Sequence, residues 1–135
     1  MLKSVSLIST LIVSFAAATP VFSQDAEAGA KVFKKCKSCH KIGEGAKNGA
    51  GPQLTGIVGR PAAASEGFKY GRDLVEAREK GLVWTEELLS EYIADPKEFL
   101  REYLDNPKAK AKMAFRLKKE EDRQNVIAYL ANPEQ

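Results

Sequence analysis

Histidine is almost absent from this chain, which has one histidine, His40, and two cysteines, Cys36 and Cys39, among its 135 residues. A structural zinc site usually needs about four cysteine or histidine donors, so zinc here would have to recruit carboxylates. A large excess of either charge is also lacking, because 21 basic and 18 acidic residues leave a net charge of +3. That charge is too small to indicate a nucleic acid as the partner.

Long apolar runs are confined to the N-terminal segment, which has the pattern of an export signal. Lys3 provides a positive start, residues 5–18 are almost wholly apolar or small, and Val21 and Ser23 suit the positions that a signal peptidase inspects. A membrane anchor is the alternative, but the run is shorter than the ~20 residues that cross a bilayer. We therefore predict a cleaved secretory signal at residues 1–23 and one mature domain at residues 24–135, located in the periplasm.

The sequence of the mature chain predicts an all-α domain, because its regular patterns of apolar residues have helical spacing. For example, apolar residues recur at that spacing between Thr85, which can cap a helix, and Pro96, which ends it. Residues 42–64 contain too much glycine and proline for regular structure, and a loop this long usually wraps something. The predicted helices are residues 26–35, residues 72–80, the segment from Thr85 to Pro96, residues 96–104 and residues 120–131. Asp95 is the expected cap of the fourth of these.

The segment Cys36-Lys37-Ser38-Cys39-His40 carries the C-x-x-C-H pattern of covalent haem attachment. Two thiols three residues apart on a helical turn face the same way, so both can add to the vinyl groups of one porphyrin. His40 follows the second anchor and is then positioned below the iron. The motif predicts one haem c, bound through two thioethers, with His40 as an axial ligand.

Other readings of the same motif explain fewer of its residues. A thioredoxin-like redox pair shares C-x-x-C but belongs near a β-α-β pattern, and no credible series of strands exists here. A Cys36–Cys39 disulfide suits an oxidising compartment, but it leaves the adjacent His40 without a role. Zinc stays a distant alternative for the reason given above.

The second axial ligand is found by elimination. Met1 leaves with the signal, so Met113 is the only methionine of the mature chain, and it lies in a polar, basic loop where a core-filling residue is not obviously needed. A thioether opposite an imidazole is the ligand pair that raises the reduction potential of a haem. We therefore favour Met113, while a lysine amine, water or an open position stay as alternatives.

Three further segments match one protein family. Gly29 and Phe33 match a first-helix pair that packs on an aromatic residue of the last helix, here Tyr129. Residues 51–60 match the loop after the haem motif, and residues 67–70 match a propionate-binding segment. On these residues the chain resembles class I cytochrome c over its mature length, and its details are most similar to bacterial cytochrome c2. The resemblance implies helices and long loops wrapped around one covalent haem.

The resemblance also implies a set of haem-environment residues. The carbonyl of Pro52 would accept the second imidazole hydrogen of His40 and fix its tautomer, and Arg60 would lie near a propionate. Each aromatic member of the set has an ordinary core position as its alternative. Those aromatic residues are Tyr70 and Trp84 at the propionates, Tyr92 beside the Met113 sulfur, and Phe115 at the haem edge.

The chain also departs from the mitochondrial members of the family. Residues 72–80 and residues 95–107 are longer than the corresponding mitochondrial segments, which favours the bacterial branch. Ala111 stands where mitochondrial forms commonly have a threonine that hydrogen-bonds near the haem. This difference leaves the wetness of the haem crevice and the reduction potential open.

A haem with both axial positions filled has no open site for a substrate, and no nucleophile and base pair remains once His40 is ligated. We therefore expect no enzyme but a mobile, monomeric one-electron carrier without stable membrane insertion. Its expected donor is a cytochrome bc complex, and its acceptor a photosynthetic reaction centre or a terminal cytochrome oxidase. A haem enzyme or gas binder with a labile sixth ligand, and a non-diffusing subunit of a redox complex, stay as alternatives.

Charge is distributed unevenly along the chain. Residues 31–47 contain six lysines and a single acid, Glu44, and residues 97–119 contain eight basic residues against three acidic ones. These segments carry His40 and Met113, so we expect lysines to surround the exposed haem edge and to steer fast, weak, salt-sensitive docking onto acidic partner surfaces. The lysines expected to matter most are Lys35, Lys37, Lys110 and Lys112.

Overall fold

The structure, a computed structural model, describes residues 24–133, and the expected export signal at residues 1–23 lies outside them. Within the described range there is no strand beyond an isolated antiparallel bridge between Pro61 and Val83, which agrees with the all-α prediction. Nor does this range include a helix long and apolar enough to cross a membrane. The helices are α1 (Ala26–Phe33), α2 (Arg72–Glu79), α3 (Glu86–Ala94), α4 (Pro96–Tyr103) and α5 (Glu120–Ala131).

Helices α1 and α5 cross at close range, because Gly29 has no side chain at the crossing point. A Cβ atom on Gly29 would lie 2.6 Å from the carbonyl carbon of Asn125 and 2.8 Å from Cβ of Tyr129. Beside this contact the Phe33 and Tyr129 rings pack with centroids 5.3 Å apart, as the family resemblance implied. The backbone N–H of Asp25 also donates to Asn125 Oδ1 at 3.0 Å, which joins the start of α1 to α5.

Three of the helices begin at side-chain caps. Asp25 accepts hydrogen bonds from the first backbone N–H groups of α1, Thr85 accepts one from Leu88 N at 3.1 Å, and Asp95 accepts one from Glu98 N at 3.2 Å. These caps satisfy N–H groups that have no partner within a helix. Thr85 and Asp95 were expected as caps, and the structure confirms both.

Three predicted helix ends are one or two residues too long. Helix α1 ends at Phe33 rather than Lys35 because the chain tightens there, with Lys35 N donating to Val32 O and Cys36 N donating to Phe33 O. Bonds between residues three apart replace the four-residue spacing of an α-helix at such ends. In the same way, α2 ends at Glu79 and α4 ends at Tyr103.

A cluster of aromatic rings fills the interior between α3 and α4. The Trp84 and Tyr92 centroids are 4.9 Å apart, Tyr92 meets Phe99 edge-on at 5.6 Å, and Phe99 stacks on Tyr103 at 5.7 Å. Aromatic pairs at these distances stabilise a core beyond the area they bury. Two members of the cluster, Trp84 and Tyr92, also line the large cavity described below.

Candidate functional site

One large cavity opens at the centre of the fold, with a volume of about 480 Å³. Its lining includes the four residues singled out for attachment and ligation: Cys36, Cys39, His40 and Met113. Apolar side chains from several helices and loops complete the lining, and a volume of this size is typical of cofactor pockets. We call this space the central cavity.

The two cysteines and the histidine share one tight turn after α1. Cys39 N and His40 N both donate to the carbonyl of Cys36, at 3.1 and 2.9 Å. Both thiols are free rather than joined in a disulfide. Burial raises the pKa of the Cys36 thiol, and the neighbouring Lys35 partly opposes that change. The turn therefore presents two free thiols and an imidazole to the same cavity.

The imidazole of His40 is oriented by its own second nitrogen. Nδ1 lies 2.8 Å from the carbonyl oxygen of Pro52, where it donates its hydrogen, so Nε2 is left as the unprotonated nitrogen that a metal can bind. Gly51 allows this close approach, since a Cβ atom there would lie 2.7 Å from Nδ1 and 2.9 Å from Nε2. The hydrogen bond between His40 and Pro52 that the family resemblance implied is present.

Met113 reaches the central cavity from a long segment without helix, residues 104–119. Its side chain is half-buried, and the flanking Lys112 and Ala114 are exposed. The segment is held by polar contacts, among them a hydrogen bond from Leu117 N to Ile93 O at 2.9 Å. The fold thus brings a thioether to the cavity that also contains the His40 imidazole, although the two residues lie far apart in sequence.

Arg60 lines the central cavity and uses only part of its guanidinium for internal bonds. Its two terminal nitrogens donate to Thr55 O at 3.0 Å and to Gln53 O at 2.9 Å. Among the described residues, the buried Nε of Arg60 has no hydrogen-bond partner. Burial lowers the pKa of Arg60, and the nearby Tyr70 partly opposes this. A carboxylate in the cavity would satisfy the unpaired Nε.

The expected aromatic residues all line the central cavity. Tyr70 accepts a hydrogen bond from Ser65 N at 2.9 Å, so its own hydroxyl hydrogen stays available to a ligand. Tyr92 is buried, and burial raises the pKa of its hydroxyl to about 12, which keeps the group protonated. Trp84 is almost fully buried, whereas Phe115 at the cavity edge is 39% exposed.

Asn48 organises the loop around the cavity and was not singled out by the sequence. Its Oδ1 accepts hydrogen bonds from Gln53 N at 2.9 Å and Ser65 Oγ at 2.8 Å, and its Nδ2 donates to Glu66 O at 2.8 Å. These bonds tie the loop that carries Pro52 to the segment before Tyr70. An asparagine in a glycine-rich loop normally indicates a turn, so no local signal pointed to this role.

Taken together, the lining residues fit a c-type haem. Two free thiols on one turn suit thioether attachment, and an imidazole with a free Nε2 and a soft thioether suit iron. The apolar lining suits a porphyrin, and the polar groups of Arg60 and Tyr70 suit its carboxylates. This fit rests on the donor set and on the unpaired Arg60 Nε.

Comparison with known proteins agrees with the site. The cytochrome c family model matches residues 26–133. The chain is 48% identical to cytochrome c-551 of Roseobacter denitrificans, over 94% of each chain. It is 44% identical to cytochrome c2 of Rhodospirillum rubrum, over 87% of each chain.

A solved structure gives the same result for the fold. The structure of cytochrome c2 from Rhodospirillum centenum superimposes with a TM-score of 0.76 at 43% identity, over 78% of this chain and 95% of that one. Membership of this family implies a covalently bound c-type haem, and the resemblance seen in the sequence is confirmed. The chain belongs to the cytochrome c family, as a cytochrome c2-like haem electron carrier.

Proposed function

We propose that Cys36 and Cys39 hold one haem through two thioethers, and that His40 and Met113 are the axial ligands of its iron. The observation that carries this proposal is that all four side chains line the same cavity, with His40 already oriented by Pro52. When bound, the haem supplies an iron that cycles between Fe(II) and Fe(III). With both axial positions taken by the protein, the chain is a one-electron carrier and not an enzyme.

The remaining lining residues would hold the haem in the cavity and set the surroundings of its iron. Arg60 and Tyr70 would hold the propionate carboxylates, because each offers a hydrogen that the described residues do not use. Trp84 would also lie at the propionates, as the resemblance implies, and the buried Tyr92 would keep water from the iron. A soft thioether ligand and a dry surrounding both favour Fe(II), so we expect a raised reduction potential.

Optical spectroscopy of the oxidised protein tests the ligation. The parent should show the weak far-red sulfur-to-iron band, and Met113→Leu should remove it while leaving the mass of the attached haem unchanged. Lys118→Ala is the matched control, because Lys118 is exposed in the same segment and does not line the cavity. A band that survives in Met113→Leu, or a colourless protein with two free thiols, would contradict the proposal.

The expected partners are a cytochrome bc complex as the donor and a photosynthetic reaction centre or cytochrome oxidase as the acceptor. The lysine positions support docking at the cavity edge, where Lys35, Lys110 and Lys112 all line the opening. Two of them are already engaged, because Lys35 pairs with Asp122 at 3.5 Å and Lys112 donates to the Lys69 carbonyl at 2.7 Å. The amine of Lys110 has no ion pair within residues 24–133 and is the best placed for a partner.

Charge reversal tests the docking surface. Lys110→Glu should slow reduction by a purified cytochrome bc complex at low salt by about tenfold, because charges near the contact steer association. Lys97→Glu on α4 is the control, since it changes the net charge equally at an exposed position that does not line the cavity. Equal rates for the two variants, or no change at low salt, would contradict docking at this edge.

We also propose that the carrier acts in the periplasm as a monomer after removal of residues 1–23. The pattern of Lys3, the apolar run and the small residues before Gln24 supports export. Mass spectrometry of the haem protein from the periplasmic fraction should find Gln24 as the first residue. A membrane-bound haem protein that retains Met1 would contradict this location.

A further inference from the structure

A buried carboxylate on α2 reaches across to the segment that carries Met113. Asp73 lies in the first turn of α2, and its side chain is only 5% exposed. Its Oδ2 accepts a hydrogen bond from the backbone N–H of Lys110 at 2.7 Å. Its Oδ1 accepts from Nε and Nη2 of Arg72 at 3.2 and 3.1 Å, so both carboxylate oxygens have partners.

The peptide group between Ala109 and Lys110 is held at both of its polar ends. Asp73 accepts the bond from the N–H, and the carbonyl of Ala109 accepts a longer bond of 3.4 Å from Nε of Arg101 on α4. The Ala109 side chain beside it is fully buried. One peptide plane, three residues before Met113, is therefore fixed from two different helices.

A second contact joins the segment just before α2 to Lys112, the residue next to Met113. Nζ of Lys112 donates to the Lys69 carbonyl at 2.7 Å and lies 4.8 Å from the centroid of the Phe68 ring. The segment before α2 thus meets the residue next to Met113. This contact is exposed, so it should contribute less than the buried Asp73 bond.

We propose that Asp73 is a positioning residue for Met113: its carboxylate holds the Ala109–Lys110 peptide so that the thioether stays directed into the central cavity. The inference rests on the proposed role of Met113 as an iron ligand. A charged hydrogen bond within a buried contact is stronger than a neutral one, and loss of one partner leaves the other unsatisfied. Without it, the hydrogen bonds that still join residues 108–113 to the segment before α2 and to α4 are the exposed Lys112 contact and the long Arg101 bond.

Imidazole added to the oxidised haem protein measures how often Met113 leaves its position, because it binds only where the thioether has moved away. Its apparent affinity rises in proportion to the open fraction. Asp73→Ala should raise that affinity by about tenfold and weaken the sulfur-to-iron band. Asp73→Asn keeps one acceptor oxygen without the charge, so it should restore part of the parent behaviour.

Two further variants make the result specific. Glu76→Ala removes another carboxylate of α2, one that pairs only with Lys80 at 3.6 Å among the described residues, and it should leave imidazole affinity unchanged. Arg101→Ala loosens the other end of the same peptide and should raise the affinity by a smaller factor. It tests the inference if Asp73→Ala does not fold.

Unchanged imidazole affinity and an intact band in Asp73→Ala would overturn the role of Asp73, even if that variant is less stable. If Asp73→Ala does not fold, the same result in both Asp73→Asn and Arg101→Ala would overturn it. If the sulfur-to-iron band survives in Met113→Leu, the proposed ligation by Met113 is overturned together with the role of Asp73. The first result leaves the His40 and Met113 proposal standing, so the two failures are distinguishable.

Discussion

The two sides of the central cavity are built differently. The side with His40 follows directly from α1, which packs on α5 at Gly29, and its turn is closed by local backbone hydrogen bonds. The side with Met113 comes from residues 104–119, which form no helix and have hydrogen bonds to α2, α3 and α4. The proposed ligand His40 therefore follows a close helix crossing. Met113, the other proposed ligand, lies on a segment without helix that combines the buried Leu104, Ala109 and Leu117 with a few polar contacts.

This difference predicts how each side of the cavity responds to substitution. Close-packed backbones transmit any added volume as strain, because they cannot shift cheaply. Side chain to backbone bonds are lost one at a time, each with a modest cost. We therefore expect changes on the His40 side to affect the whole fold, and changes on the Met113 side to act locally.

The largest effect should come from Gly29→Ala. Its Cβ would lie 2.6 Å from the Asn125 carbonyl carbon, so α1 and α5 would have to separate. We expect the free energy of unfolding to fall by about 3 kcal/mol, at the upper end of overpacking costs. Urea unfolding measures this, and the exposed neighbour Lys31→Ala should change stability by under about 0.5 kcal/mol. Equal effects of the two would show that the crossing is not close-packed.

Gly51→Ala should have the next largest effect, because it adds a methyl group against the His40 ring. Its Cβ would lie 2.7 Å from Nδ1, which would turn the ring away from the Pro52 carbonyl. We expect a loss of about 2 kcal/mol and an altered haem spectrum. Gly49→Ala is the control, since within residues 24–133 its Cβ would meet only Cys39 O, at 3.4 Å. A normal spectrum in Gly51→Ala would refute the tight fit.

Asp95→Ala should cost about 1 kcal/mol, the usual effect of removing an N-cap. Asp95 caps α4 through Glu98 N, and it also pairs with Arg116 at 3.3 Å on the segment after Met113. Arg116→Ala removes only the exposed pair, so it should cost under about 0.5 kcal/mol. Chemical unfolding of both variants separates the two contributions. A larger loss in Arg116→Ala than in Asp95→Ala would reverse the assignment.

The smallest effect should be a pH dependence of stability that comes from Asp73. The hydrogen bond from Lys110 N is the main cause that lowers the pKa of this carboxyl, although burial opposes it. The unfolded chain then binds a proton before the folded chain does, so stability is present above the unfolded value of about 3.9 and falls as the pH drops below it. Between pH 7 and pH 2 the parent should lose more stability than Asp73→Asn. Parallel pH curves would contradict this.

Part of this protein was predictable because its information is local. The C-x-x-C-H spacing places Cys36, Cys39 and His40 on one turn whatever the rest of the chain does. Thr85 and Asp95 cap helices by bonding to N–H groups only three residues ahead. Helix ends were less predictable, because the turn after Phe33 tightens where the chain must present Cys36 to the cavity.

Long-range polar contacts were beyond such reasoning. The Asp73 bond to Lys110 and the Asn48 bond to Ser65 depend on how two loops close against each other. From the sequence alone, Asp73 is explained as an acidic residue that stabilises the start of a helix. The lysine pattern was likewise incomplete, since only the structure shows that Lys35 and Lys112 already have partners.

The sequence by itself determined the C-x-x-C-H motif, the helical class and the presence of Met113 as the single methionine besides Met1. The tertiary structure decided that the Met113 thioether enters the same cavity as His40, and that Asp73 and Arg101 bond to the segment that carries it. The physical reason is that motifs and caps act within a few residues of backbone. The position of Met113, by contrast, depends on side chains that loop closure brings together from distant parts of the chain.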